Sequence, residues 1–156
     1  MDAGIGTGEL TAALAHHRPD AAWHGIDISD AMLDKAAARL NLKADFRQAN
    51  LTDLPYEDNT FDLIISAHAL EHMPDPDVGM AELLRVLKPG QPFVIVATRL
   101  CPITTMLSLR WNFRPMRTGF VRNALLKAGA ANVDVVSLMP QRNMTYMSLV
   151  YSGTKK

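Results

Sequence analysis

Cysteine is nearly absent: the 156 residues hold one, Cys101, which excludes a disulfide framework and any zinc site built from several cysteines. No basic segment followed by an apolar one opens the chain. No apolar run approaches the ~20 residues needed to span a membrane, so the expected compartment is the cytoplasm. Repeats and low-complexity tracts are missing. So is net charge: 16 Lys and Arg balance 16 Asp and Glu, and that neutrality argues against a nucleic-acid partner. At this length one domain is expected, residues 1–156, large enough to bury a core.

The neutral total hides an asymmetry. Residues 1–77 carry 14 acids against five Lys and Arg, whereas residues 78–156 carry two acids against 11. An acidic half favours a cationic ligand; acids merely solvated on helix faces and turns explain the same count.

The most informative stretch stands at the start, Asp2-Ala3-Gly4-Ile5-Gly6-Thr7-Gly8-Glu9-Leu10. Alternate glycines running into Thr11-Ala12-Ala13-Leu14 read as a tight turn feeding a helix. Glycine permits positive φ and close approach of a ligand, and a helix start offers free N–H groups. A plain glycine-rich loop would look the same in isolation, but the spacing adds context. Ala22-Trp23-His24-Gly25-Ile26 is a short apolar run closed by Asp27, with Ile28 after it. A βαβ nucleotide site places its ribose-binding acid there, about 20 residues beyond the glycines. A dinucleotide fingerprint requires Gly-x-Gly-x-x-Gly, and counted from Gly4 the last position is Glu9, an anion where pyrophosphate would lie. A ligand without phosphates fits better.

In its ordered motifs DAGIGTG, HGIDIS, ANLTDLPYEDNTFDLIIS, ALEHMPDP and VLKPG, the chain resembles the class I S-adenosylmethionine-dependent methyltransferases over about residues 2–98. Within that class it is similar to the small-molecule group that includes quinone-biosynthesis C-methyltransferases. The resemblance implies a Rossmann-like α/β fold, a doubly wound sheet in the order 3-2-1-4-5-7-6 with strand 7 antiparallel. It also implies a cofactor-binding half, residues 1–98, and a substrate-side half, residues 99–156. S-adenosyl-L-methionine is the implied cofactor. Asp2 would orient its methionine end, and Gly4, Gly6 and Gly8 would let it approach the backbone. Asp27 would hold the ribose, beside Ile28. Asn50 and the Leu51 N–H would meet adenine, and Ala67 would face the crevice at the end of strand 4. The family usually has aspartate where Asn50 stands; the amide oxygen still accepts a hydrogen bond.

Along the chain, a helix is expected from Gly8 to His17, a strand at 22–26, and a helix capped by Ser29 or Asp30 with an apolar face through Leu33, Ala36 and Leu40. Strands follow at 44–48 and 61–66. Asp77 caps a helix over Val78 to Leu87 that Lys88-Pro89-Gly90 ends. A fifth strand spans 93–97. Beyond it a helix from Arg117 or Thr118 to Lys127 and strands at Val133–Leu138 and Met144–Ser152 complete the sheet.

His68-Ala69-Leu70-Glu71-His72 matches the spacing of some zinc peptidases, but Pro74 and Pro76 interrupt the helix such a site needs, so no metal is expected. A general base at His68 or His72 is a better use of an imidazole. Glu71 has a similar claim, because lipid cyclopropane-forming relatives use a glutamate of a Glu-His pair to hold the base. The favoured reading is plainer: Glu71 and His72 tie the turn to its neighbours, and the catalytic residues stay unassigned.

Ile103 to Phe120 interleaves Met106, Leu107, Leu109, Trp111, Phe113 and Met116 with Arg110, Arg114 and Arg117, and six basic residues with no acid lie between Arg99 and Val133. A lid over a lipophilic acceptor, or a face on anionic membrane, fits this pattern. A helix packed on the sheet with its arginines exposed fits equally. The activity implied is methyl transfer to a small, lipophilic acceptor; a catalytically inactive cofactor-binding regulatory or partner domain is second and an NAD-dependent oxidoreductase third.

The resemblance also sets an expectation about the centre of the sheet. Asp2 should end the first strand, which lies between the strands at 22–26 and 61–66, yet Met1 alone precedes it, so that strand is largely missing. The flanking strands then close up, another copy supplies a strand, or the sequence is a truncated form. Truncation is favoured because Gly4 to Gly8 keep their ligand spacing, and poor stability or self-association is the expected consequence.

Overall fold

The computed structural model describes residues 1–40, 44–137 and 147–156. Seven strands form one sheet in the order β3-β2-β1-β4-β5-β7-β6, as expected. The elements are β1 (Asp2–Ala3), α1 (Glu9–Ala15), β2 (Trp23–Asp27), α2 (Asp30–Leu40), β3 (Ala44–Gln48), β4 (Ile64–Ala67), α3 (Pro76–Val86), β5 (Pro92–Thr98), α4 (Pro102–Trp111), α5 (Thr118–Lys127), β6 (Ala130–Ser137) and β7 (Ser148–Lys155). A single 3-10 turn, Leu70–His72, separates β4 from α3. Strands β1 to β5 are parallel, and β7 runs antiparallel to β5 and β6. The expected strand start at Met144 lies outside the described residues.

The flanking strands do not close over the centre. Although β1 is two residues long, Asp2 pairs with Gly25 of β2 and Ile65 of β4, and Ala3 pairs with Ile26. The Ile65 N–H donates to the Met1 carbonyl at 2.9 Å, and the Ser66 hydroxyl to the Ala3 carbonyl at 2.8 Å. Each buried polar group left unpaired costs about 1–3 kcal/mol, so even a short strand here stabilises its neighbours.

Successive residues of β4 and β5 serve opposite faces. Ile64, Phe93 and Ile95 join Met80, Leu83, Leu84, Val121 and Leu125 under α3 and α5, while Ile65 joins Ala15 and Trp23 under α1, with Val94 packed against them. This double-sided burial explains the near-continuous apolar runs in both strands. The turn that brings the chain to β4 is held from α3: Arg85 donates to both carboxylate oxygens of Glu82, to Asp58, and to the Tyr56 and Leu54 carbonyls. Lys155 of β7 closes the same region, donating to Asn59 and to the Arg85 and Leu87 carbonyls at the end of α3.

Segment 102–120 differs from one expectation. Thr104 is the buried residue of α4, whereas Ile103, Met106, Leu109 and Trp111 are exposed, Leu109 at 87%. The packed-helix reading fails here because the apolar residues surround the helix instead of forming one stripe. Only the tail of the segment enters the core, through Met116, whose N–H and carbonyl bond to Thr98 and Leu100.

A register shift between Ala130 and Asn132 brings the Asn132 carbonyl onto Gly153 of β7. A Cβ at Gly153 would overlap that oxygen and stand 2.9 Å from the ring of fully buried Phe93. Gly153→Ala is therefore expected to destabilise the fold by about 1–3 kcal/mol, read as a lower urea midpoint. An unchanged midpoint would show that the bulge yields.

Candidate functional site

The chain order reverses between β1 and β4, and an open parallel sheet takes ligands outside the carboxyl ends of its strands at such a reversal. A cavity of about 450 Å³ lies there. Gly4 and Gly6 follow β1, Asp27 and Ile28 come from the end of β2, Ala49, Asn50 and Leu51 follow β3, and Ala67, His68 and Ala69 come from the end of β4. A second hollow shares Gly4, Gly6 and Ala67 with it and is lined further by Asp2, Ile5, Thr7, Glu9 and Leu10. Another hollow, about 460 Å³ between α3 and α5, stands away from the glycine loop.

The loop after β1 is built by its backbone. Gly4 takes φ +75°, and a Cβ there would collide with the Ala69 side chain, so glycine lets the loop meet the turn after β4. A Cβ at Gly6 would meet nothing within 4 Å, leaving that position open to a ligand. Gly8 lines neither hollow; a Cβ there would stand 3.2 Å from Ala36 and from Leu40, so its size lets α1 approach α2. The Gly4 and Ile5 N–H groups both donate to the Ile26 carbonyl, at 2.7 and 2.9 Å.

Asp27 ties the two sequence motifs together. One carboxylate oxygen accepts from the Gly6 N–H at 2.9 Å and the other from the Ser29 N–H at 3.0 Å. Each keeps lone-pair capacity for a further donor. The Asn50 side-chain oxygen accepts from the Thr52 N–H at 3.1 Å. It too keeps a second acceptor position. Ile28 is 69% exposed, an apolar side chain on the cavity wall.

Asp2 is 2% exposed and accepts from the Thr11 hydroxyl at 2.6 Å. Burial pushes its pKa up to about 6, with the Thr11 hydrogen bond pulling the other way. Thr11, one turn into α1, carries no sequence signal for this role.

On the opposite wall, His68 adopts φ +56° and its Nδ1 lies 2.8 Å from the Glu71 carboxylate. Glu71 is 3% exposed, and the same oxygen accepts from the Thr98 hydroxyl at 2.7 Å. Thr98 was legible in principle as a polar residue at the carboxyl end of a parallel strand. Met32, His72, Met73 and Pro74 complete the wall. The Phe113 ring meets His72 edge-on, centroids 6.4 Å apart.

A Rossmann-like sheet in this order, with a glycine loop after β1 bonded to an acid at the end of β2, defines a class I S-adenosylmethionine-dependent methyltransferase domain. Residues 1–95 match the family model described as a methyltransferase domain, and the chain belongs to that family. S-adenosyl-L-methionine is the cofactor of this class. The chain is 39% identical over 97 residues to a demethylmenaquinone methyltransferase of Clavibacter sepedonicus, covering 61% of this chain and 39% of the relative. It is 37% identical over 102 residues to a ubiquinone/menaquinone biosynthesis C-methyltransferase of Shewanella piezotolerans, covering 62% and 41%. The chain thus spans about two fifths of the length of these relatives. Its fold matches that of phosphoethanolamine N-methyltransferase 2 of Haemonchus contortus solved with S-adenosyl-L-methionine, with a TM-score of 0.81 at 18% identity, covering 99% of this chain and 47% of that one.

The residues present fit that cofactor: open space over Gly6, acceptor capacity at Asp27 and Asn50, and a buried acid beside the loop. A ligand ammonium over Asp2 favours its carboxylate form. Below a pKa of about 6 the carboxyl keeps its proton, which binding must displace; above it the group is already ionised. S-adenosylhomocysteine affinity, measured by calorimetry, is expected to fall roughly tenfold per pH unit below that pKa and to level off above it. Asp2→Asn should flatten the profile. A flat profile in the unmodified chain would remove Asp2 from the ligand.

Proposed function

We propose that this chain carries the cofactor-binding and catalytic domain of a methyltransferase that transfers a methyl group from S-adenosyl-L-methionine to a small lipophilic acceptor. The Asp27–Gly6 contact at the mouth of the cavity carries the reading, because it sets an acceptor-rich carboxylate where a ribose would lie. The cofactor supplies an activated sulfonium methyl group and a good leaving thioether. The protein's task is then alignment, which can account for most of the acceleration. Asp27 accepts from the ribose hydroxyls. Asn50 accepts from the adenine amino group, Leu51 presents its N–H to the ring, and Ile28 covers the ring's face. Asp2 pairs with the amino group across the glycine loop. Residues 99–156 form the acceptor side.

Two observations support a lipophilic acceptor. Both relatives described above are named for quinone methylation. The apolar residues of α4 also stand exposed, and the segment that follows the helix reaches the cavity wall: the Arg114 N–H donates to the Glu71 carbonyl at 2.8 Å, and the Phe113 ring meets His72. Arg110, Arg114 and Arg117 are exposed on the same segment, so α4 lies on an anionic membrane from which the acceptor enters. No helix among the described residues is long and apolar enough to cross a membrane.

Asp27→Ala should weaken S-adenosylhomocysteine binding by about 1.5–3 kcal/mol, the range for a charge-assisted hydrogen bond. Equal calorimetric affinities for the two proteins would sink the ribose assignment.

For the membrane face, sedimentation with vesicles of phosphatidylglycerol and phosphatidylcholine should fall as salt rises. It should fall again when Arg110 and Arg114 are replaced by glutamine. No sedimentation at low salt would exclude this contact.

A further inference from the structure

His68 and Glu71 form an arrangement that cofactor binding does not need. His68 is not glycine, yet it holds φ +56°, a region β-carbon residues rarely occupy. Its backbone N–H is kept by the Val96 carbonyl at 2.9 Å, so the chain turns sharply at the end of β4 and sets the imidazole over Glu71. Glu71 is buried. One of its carboxylate oxygens gathers three donors, from His68, the Thr98 hydroxyl and the Thr98 N–H, while the other is buried without a partner among the described residues. Burying a charge with half its acceptor capacity idle is a costly way to tie down a turn.

We infer that His68 is the group that takes the acceptor's proton during methyl transfer and that Glu71 is its positioning residue. The inference rests on the methyltransferase reading above. A carboxylate only accepts hydrogen bonds, so Nδ1 carries the hydrogen and the neutral ring keeps its lone pair on Nε2, which has no partner among the described residues. The ring lines the cavity and is 46% exposed. As the acceptor's nucleophilic atom bonds to the methyl carbon, the carbon–sulfur bond breaks with its electron pair remaining on sulfur, and the acceptor's proton passes to Nε2. The resulting imidazolium lies against the Glu71 carboxylate and returns its proton to solvent from its exposed edge. His72 lines the same cavity but has an aromatic neighbour, Phe113, where His68 has a carboxylate.

The electrostatics agree with the geometry. The Glu71 hydrogen bond holds the His68 pKa above the usual imidazole value against partial burial. Burial raises the Glu71 pKa, but the bonds from His68 and Thr98 outweigh it, so the group stays below the usual carboxylate range and ionised at neutral pH. Other charged or titratable groups around the pair are His72 and Asp27 on the cavity wall, Asp2 in the neighbouring hollow, and Arg114, whose N–H bonds the Glu71 carbonyl. The ring is free to accept a proton above its raised pKa, so kcat/KM should climb tenfold per pH unit below that value and level off above it.

The experiment uses the chain with S-adenosylmethionine and a short-chain demethylmenaquinol, alongside ¹⁵N-resolved titration of the imidazoles. His68→Asn, which tolerates positive φ, should lower kcat by ~10²–10⁴-fold while S-adenosylhomocysteine affinity stays within about twofold. Glu71→Gln should move the acidic limb of the profile and the His68 titration together to lower pH, by ~1–3 units. A purely structural Glu71 would lower the rate without moving either. Undiminished kcat in His68→Asn, a limb that stays in place in Glu71→Gln, or a hydrogen on Nε2 instead of Nδ1 in the neutral ring each overturns the assignment. If the unmodified chain binds S-adenosylhomocysteine but does not methylate this quinol, the quinone-like acceptor is wrong; the ring titration and tautomer then decide the assignment of His68. Failure to bind S-adenosylhomocysteine sinks the cofactor reading instead.

Discussion

Two residues, Asp2 and Ala3, wedged between β2 and β4, set the position of everything at the site. Their ladder bonds bring the Gly4–Gly8 loop to the carboxyl end of the sheet, where the Ile26 carbonyl takes two of its N–H groups and Asp27 takes a third. The side chains are as small as the space: Ala3 is fully buried, and the Asp2 carboxyl is met by Thr11. Backbone pairing is thus the mechanical link between a short piece of sheet and the geometry of a cofactor cavity.

The opposite charges of the two halves have a mixed explanation. Much of the acidic excess is solvated or met at the surface by basic residues of the second half, as when Arg85 pairs with Asp58 or Lys88 with Asp62. Exposed pairs of this kind contribute little, about 0–1 kcal/mol each. The acids that matter are Asp2 and Glu71, because burial removes the water that would otherwise screen them. Asp2 lines the hollow beside the cavity, and Glu71 backs His68 on the cavity wall. Burial moves the Asp2 pKa upward, while hydrogen bonds hold Glu71 below the usual carboxylate value. Similar side chains are thereby suited to different work.

Local chemistry made much of the fold readable from the sequence. Apolar alternation and turn residues placed β3 at its observed bounds and the other parallel strands within a few residues. The strand at 61–66 was set early because Phe61 makes an isolated bridge with Leu87 before the ladder begins at Ile64. The helix from Gly8 was expected to run to His17 but stops at Ala15, where nothing in the pattern of alanines marks an end. Glycine spacing and an acid twenty residues on indicated a nucleotide cavity, and the structure places Gly4, Gly6, Asp27, Ile28, Asn50, Leu51 and Ala67 around one hollow.

The sequence by itself determined the class of the domain, the strand order and most of the residues that line the cavity, because each depends on short-range signals: glycine at positive φ, a carboxylate at a strand end, apolar runs buried on two sides. The tertiary structure alone decided three other matters. It set Gly8 against α2, where a Cβ would stand 3.2 Å from Ala36 and from Leu40. It left the apolar residues of α4 exposed, because Thr104 is the one residue of that helix the fold buries. And it turned Glu71 toward His68, because Thr98, distant in sequence, arrives at the end of β5 to hold the same carboxylate. Such pairings depend on which strand ends lie side by side, and that is a property of the folded sheet.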